Sequence, residues 1–396
     1  MRITTLSNTG RAVALLLALA TALPACREAE IRPGQACLDG RYANNHPKAA
    51  AIQDVMQKYV RLGLPGMSVY VEDSSGRTFA AGAGLADLQR GVPFNVCTPS
   101  KAASITKLQV ATLAHRLAEQ GRLDLDAPVE RYLGTELLAK VQNARGKTLR
   151  QLLNHTTGIF DLITSSAFYL AVLNQPNKRW QPEELLRFTH GQDGVALGQP
   201  YPASYSNTNT LLLMMCIEKA TGQDHVALLR EQIWGPLGMS RTYMQGREDI
   251  PATAAHGYYD LYNNGTVADV SQLITGSGNG YGGMYSTTTD LRQFMGALFA
   301  ERTLVSAASL ERMTTVLQED TNFFVGEGTV QKRFGRRRTP GIGHTGRDLG
   351  YVANCFYYPS QKAYIIFFVN YGTNGESRLK PVFFDFEEEL ARLVLD

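Results

Sequence analysis

Apolar residues recur at helical spacing through Ile105, Leu108, Leu113 and Leu117. The pattern predicts a buried helix that follows Pro99, is capped by Thr98 or Ser100, and stops at Gly121. The same periodicity, with its caps and breakers, predicts helices over 47–62, 148–154, 182–189, 208–221, 225–234, 288–299 and 378–395. Strand-like runs lie at 67–72 and 77–83, joined by Asp73-Ser74-Ser75-Gly76, and again at 341–344, 351–358 and 363–370, the last two joined by Pro359-Ser360-Gln361-Lys362. Strands at both ends with helices between them predict an α/β (α+β) fold. An antiparallel sheet is built from both termini and flanked by helices, and a mainly helical lobe is inserted. The cleft between the two parts is the expected site.

The start of the chain stands apart from this pattern. Arg2 and Arg11 precede an apolar stretch at 12–23, too short to span a bilayer, which predicts a signal peptide over 1–25. Leu23-Pro24-Ala25-Cys26 looks like the lipobox of bacterial lipoproteins, so Cys26 is the expected lipidation site of a periplasmic or cell-envelope lipoprotein. A polar tether at 26–46 then leads into one domain at 47–396, with a sheet lobe at about 47–103 and 335–396 and a helical lobe at about 123–302. In an oxidising compartment Cys37, Cys97, Cys216 and Cys355 allow disulfides. Cys37 with Cys97 is the first pairing to expect, and Cys216, inside an apolar run, reads as a buried thiol.

A net charge of +3 argues for no nucleic-acid partner, and the basic run Lys332 to Arg338 reads as a solvated loop. Gly278 to Gly283 matches a dinucleotide fingerprint in form only, since no βαβ setting surrounds it. No cysteine or histidine cluster suggests a metal, and no cofactor is expected.

The chemistry begins at Ser104-Ile105-Thr106-Lys107. Three residues apart on one helix face, the lysine amine is near enough to take the serine's proton, which makes Ser104 a candidate acyl-transfer nucleophile. The motif alone is weak, because Ser377-Arg378-Leu379-Lys380 repeats it; that copy reads as the cap of the last helix followed by a solvated charge.

Pro65-Gly66-Met67, Ala83 to Asp87, Ser104 to Lys107, Gly121 to Asp126, Leu149 to Gly158, Tyr205-Ser206-Asn207, Gly235 to Met239 and Gly282-Gly283 through Thr287 stand in this order. From about Pro47 to Tyr371 the chain resembles the serine hydrolases of the class C β-lactamase and D-alanyl-D-alanine carboxypeptidase family, with a β-lactamase/transpeptidase-like fold. The resemblance makes Tyr205 the proton relay, with the Lys107 ammonium favouring its phenolate. It makes Asn207 a partner of Lys107 and of the substrate amide. His344-Thr345-Gly346 becomes the third motif, on a strand edge along which substrate docks, with Thr345 facing a substrate carboxylate and Gly346 permitting close approach. The backbone N–H groups of Ser104 and Arg347 form the implied oxyanion hole. His344 stands where most β-lactamases of the family carry lysine; a histidine is mostly neutral at pH 7, so Arg347, Arg333 or Arg336 to Arg338 is expected to supply the missing charge. His155 in Asn154 to Gly158 matches a structural loop, and the chain has no G-x-S-x-G elbow.

The expected activity is that of an exported serine hydrolase acting through an acyl-enzyme on a small-molecule or peptide substrate, first a D-Ala-D-Ala stem peptide. An esterase, a D-aminopeptidase and a class C-like β-lactamase are the near alternatives. A non-catalytic β-lactam or muropeptide receptor is the rival of another class. Segments 159–180 and 260–280 are expected to line the mouth of the cleft.

Overall fold

The computed structural model describes residues 44–373 and 375–396. The expected leader, Cys26, Cys37 and nearly all of the tether lie outside them. The strands pair into one nine-stranded antiparallel sheet. Its members are β1 (Gly66–Glu72), β2 (Thr78–Asp87), β3 (Val92–Pro93), β4 (Leu317–Gln318), β5 (Phe324–Val325), β6 (Val330–Phe334), β7 (Thr339–Asp348), β8 (Tyr351–Tyr358) and β9 (Ala363–Val369), in the order β3-β2-β1-β9-β8-β7-β6-β5-β4. The two chain ends meet where β1 pairs β9, from Met67 opposite Val369 to Glu72 opposite Tyr364.

Both faces of the central strands are covered, because alternate residues enter two different cores. Val69, Val71, Ile365 and Phe367 face one core with helices α1 (Ala49–Arg61) and α5 (Leu379–Leu395), which contribute Ile52, Met56, Phe383 and Phe386. Tyr70, Ile366 and Phe368 face the other, with α2 (Ile105–Glu119), α3 (Asn207–Thr221) and α4 (Thr288–Met295). Each fully buried Phe or Ile stabilises the fold by about 1.5–3 kcal/mol. Phe367, held between Phe383 and Phe386 at 6.3 and 5.2 Å, is one such anchor.

Two expectations change. The nucleophile's helix begins at Ile105 rather than just after Pro99, because Ser100 and Lys101 pair as a short strand with Ser286 and Tyr285. Ala103 then turns the chain at a φ of 47°, a left-handed conformation that costs a non-glycine residue about 1–2 kcal/mol. The run Lys332 to Arg338 is not simply a solvated loop: Val330 to Phe334 pair with Thr339 to Gly343, and only the hairpin tip is free of the sheet. With Lys332 and Arg333 on opposite faces between Val330 and Phe334, this strand lacks the apolar alternation that marks a strand in sequence.

Cys97 is disulfide-bonded, and Cys37, its expected partner, lies outside the described residues. Cys216 and Cys355 are buried free thiols. Among the described residues no helix is long and apolar enough to cross a membrane.

Candidate active site

Ser104 caps the start of α2, and Lys107, one turn on, is 2% exposed. Three oxygens surround its amine: Ser104 Oγ at 3.1 Å, Asn207 Oδ1 at 2.6 Å and the backbone carbonyl of Tyr281. The carbonyl comes from the glycine-rich loop at 278–283, whose role here is to turn an oxygen toward a lysine. Burial pushes the Lys107 amine down to about 7, against the opposing fields of Asp161 and Asp348. A lysine held this way spends much of its time at neutral pH as an amine able to take the serine proton.

Tyr205 lies just before α3, and its hydroxyl shares a hydrogen bond with Ser104. Its ring stacks on His155 with centroids 4.4 Å apart, and the Lys107 amine sits 5.1 Å from the ring centroid. The expected phenolate is not what this environment favours. Burial drives the Tyr205 hydroxyl far above the ordinary tyrosine value, with Asp161 and Glu319 adding to the rise. This environment favours the protonated phenol, while burial favours the neutral amine of Lys107.

Asn207 is oriented by a residue the sequence reading passed over. Asp161 accepts the Asn207 side-chain Nδ2 at 2.9 Å and its backbone N–H at 3.1 Å. With Nδ2 turned to Asp161, only Oδ1 is left to face Lys107. The Asn207 amide is thus oriented by two protein partners, and the residue also lines the cavity described below. Burial holds the Asp161 carboxyl above its usual range, although the Lys107 charge opposes this. Its signal in the sequence was only its place inside a segment expected to line the cleft.

His155 is the plate on which Tyr205 rests. Its Nδ1 accepts the Ser206 N–H at 3.2 Å, so the imidazole is neutral, and burial pushes its pKa well below the usual value. His344 is also buried and neutral. It donates Nδ1–H to the Thr345 carbonyl at 2.5 Å, and burial, then the Lys107 charge, pushes it down to about 3. Where the family lysine would bring a charge, this chain brings none at any physiological pH.

β7 carries the third motif past Ser104. A Cβ on Gly346 would lie 2.0 Å from the Ala102 carbonyl oxygen, so no other residue fits there. On one side β7 pairs with β8 as far as Asp348, while on the other its pairing with β6 stops at Gly343. Residues His344 to Asp348 therefore have a strand neighbour on one side alone among the described residues, which leaves an edge for an extended ligand. Behind it, Asp348 forms a buried ion pair with Lys101 at 2.8 Å and accepts from Thr275 and Ser277. This ties the end of β7 to the strand that delivers Ser104.

Ser104, Tyr205, Asn207, His344, Thr345 and Arg347 all line one cavity of 740 Å³. Its remaining wall is mostly apolar, with Ile163, Tyr169, Leu173, Leu261, Phe323 and Leu349. Two cations reach it, Arg347 and Lys332, the latter also 3.1 Å from Glu387. Arg333 lies over Phe324 and Arg338 binds Asn322 instead. Ser377 and Lys380 do not line the cavity. Among the described residues, Glu218, Asp224 and His225 come close enough together to suggest a cation site, but Arg247 reaches both carboxylates, at 3.7 and 3.0 Å, and already pairs with them.

A protein-family model described as Beta-lactamase matches residues 49–385. The chain is 27% identical to a putative penicillin-binding protein, PbpX, of Bacillus subtilis, over 70% of this chain and 66% of that one. It is 23% identical to the teichoic acid D-alanine hydrolase of Staphylococcus aureus, over 87% of this chain and 79% of the relative. Among solved structures it is similar to a D-stereospecific amidohydrolase from Streptomyces sp. (TM-score 0.73, 28% identity, 82% of this chain and 95% of the other). It is also similar to the D-amino acid amidase of Ochrobactrum anthropi SV3 (TM-score 0.75, 26% identity, 87% and 97%). With its sheet, its helices and most of its length matched, this chain belongs to the beta-lactamase family of serine hydrolases.

Proposed function

We propose that this protein is an exported serine hydrolase that cleaves amide or ester bonds of D-aminoacyl compounds with an apolar side chain, through an acyl-enzyme on Ser104. The observation that carries the reading is the Ser104, Lys107 and Tyr205 cluster, opening into an apolar-walled cavity. The names of its relatives, a D-amino acid amidase, a D-stereospecific amidohydrolase and a D-alanine hydrolase, support the substrate class. Export rests on the leader and its lipobox alone.

In this reading the neutral Lys107 amine takes the Ser104 proton, and Oγ bonds to the substrate carbonyl carbon. The backbone N–H groups of Ser104 and Arg347 hold the oxyanion, which commonly contributes about 3–4 kcal/mol. As the carbonyl re-forms, the bond to the leaving group breaks. Tyr205 gives that group its proton and is reprotonated from the Lys107 ammonium. Water then enters by the reverse relay, forms the acid and restores the Ser104 hydroxyl.

A second reading, a carboxypeptidase releasing a C-terminal D-amino acid, is favoured by Arg347 and Lys332 on the cavity wall, where they would face a carboxylate. D-phenylalanine p-nitroanilide, its L enantiomer and an N-acylated D-Ala-D-Ala peptide separate the two. Turnover of the D-anilide alone, lost in Ser104→Ala, is the expected result. Equal use of both enantiomers, or turnover that survives Ser104→Ala, sinks the first reading. Release of D-Ala from the peptide with no anilide turnover selects the second, and binding without any turnover would mark a receptor.

A further inference from the structure

The preceding reading makes Tyr205 the proton relay, and the structure raises the question of what holds that residue still. Tyr205 stands two residues before α3, so the helix offers its backbone N–H no acceptor. A carboxylate from the far edge of the sheet supplies one: Glu319 Oε1 accepts the Tyr205 N–H at 2.8 Å. Glu319 directly follows β4, at the tip of the hairpin that β4 forms with β5, and its own N–H is bonded to the Phe323 carbonyl at 3.0 Å. From the same tip, the Phe323 ring meets the Tyr205 ring edge-on at 6.2 Å and also lines the cavity. With His155 stacked on its face, Tyr205 is gripped at its backbone, one face and one edge.

We propose that Glu319 is a positioning residue for catalysis, acting through Tyr205, and that the β4–β5 hairpin tip is the clamp that seats the relay over Ser104. A carboxylate used only for folding would be expected to satisfy both of its oxygens. Glu319 Oε2 is buried with no partner among the described residues, a costly arrangement that is retained beside the reacting groups. Burial, with Asp320 and Asp161 nearby, also pushes the Glu319 carboxyl up to about 7, although the Tyr205 N–H pulls it the other way. A carboxyl that is half protonated at neutral pH accepts this bond with less than a full negative charge next to the phenol. Glutamine offers the same acceptor in nearly the same volume, and methionine offers the volume without the acceptor.

The test uses the full chain and the activated ester p-nitrophenyl acetate. Glu319→Met is expected to lower kcat about tenfold or more with KM changed less than about twofold, since a displaced catalytic group costs rate rather than binding. Glu319→Gln is expected to stay within about threefold of wild-type kcat. In a Tyr205→Phe background, Glu319→Met is expected to add no further loss, because the two act as a unit. Wild-type kcat in Glu319→Met, equal loss in Gln and Met, or a loss that multiplies with Tyr205→Phe each overturns the proposal. If the Met variant does not fold, Glu319→Asp withdraws the acceptor by one methylene. A lowered kcat there supports the proposal, and an unchanged one defeats it. The reading on which this rests fails differently: unimpaired turnover in Tyr205→Phe alone removes Tyr205 from the chemistry, whatever Glu319 does.

Discussion

The chain writes the same four-residue pattern twice, and the two copies end in different chemistry. At Ser104 the lysine is walled in by Asn207, Tyr281 and Tyr205, with no carboxylate in contact among the described residues. At Ser377 the serine side chain caps the start of α5, accepting the Leu379 N–H at 3.3 Å, while Lys380 pairs with the exposed Glu376 at 2.9 Å and stays hydrated. Both lysines lie one helical turn after a serine. What separates them is water. Desolvation turns Lys107 toward the neutral amine that can act as a base, whereas Lys380 is partly open to solvent and paired with a carboxylate.

The largest effect expected from this contrast is at the serines themselves. Ser104→Ala should reduce hydrolysis of an activated ester by about a thousandfold or more, while Ser377→Ala leaves the rate unchanged. Comparable losses in both, by initial rates, would break the comparison.

At the lysines, Lys107→Met is expected to cost about a hundredfold or more in kcat, and Lys380→Met nothing measurable.

The pH dependence sharpens the point. A base works only when unprotonated, so kcat/KM should rise with pH through the Lys107 value of about 7 and level off above it. The Asp161 charge raises that value, so Asp161→Asn should move the limb to lower pH, and a shift to higher pH would contradict the assignment. His344, pushed down to about 3, should contribute no titration between pH 5 and 8.

The smallest effect is on stability. Removing the Ser377 cap should cost about 0.5–1 kcal/mol in a denaturant titration, with no change in rate.

Much of this protein is legible in its sequence alone. Helical periodicity located α1, α3, α4 and α5 close to their observed bounds: α1, α4 and α5 each bury one stripe of apolar residues, and α3, buried all round over 207–217, carries its own stop in Gly222 at a φ of 67°. The apolar runs of β1, β8 and β9 identified the sheet's centre, since strands buried on both faces have no polar alternation to obscure them. Ser104, Lys107, Tyr205 and the His344 motif were legible through ordered motifs; the structure brings Ser104, Tyr205, His344 and Thr345 to one cavity, with Lys107 buried against Ser104. Local pattern could not reveal the partners that arrive from far along the chain. Asp161 sets Asn207 from 46 residues away, and Glu319 reaches Tyr205 across 114. Nor could it show that Tyr205 keeps its proton. Protonation depends on how much water and charge surround a group, and those are decided only when distant segments close over it.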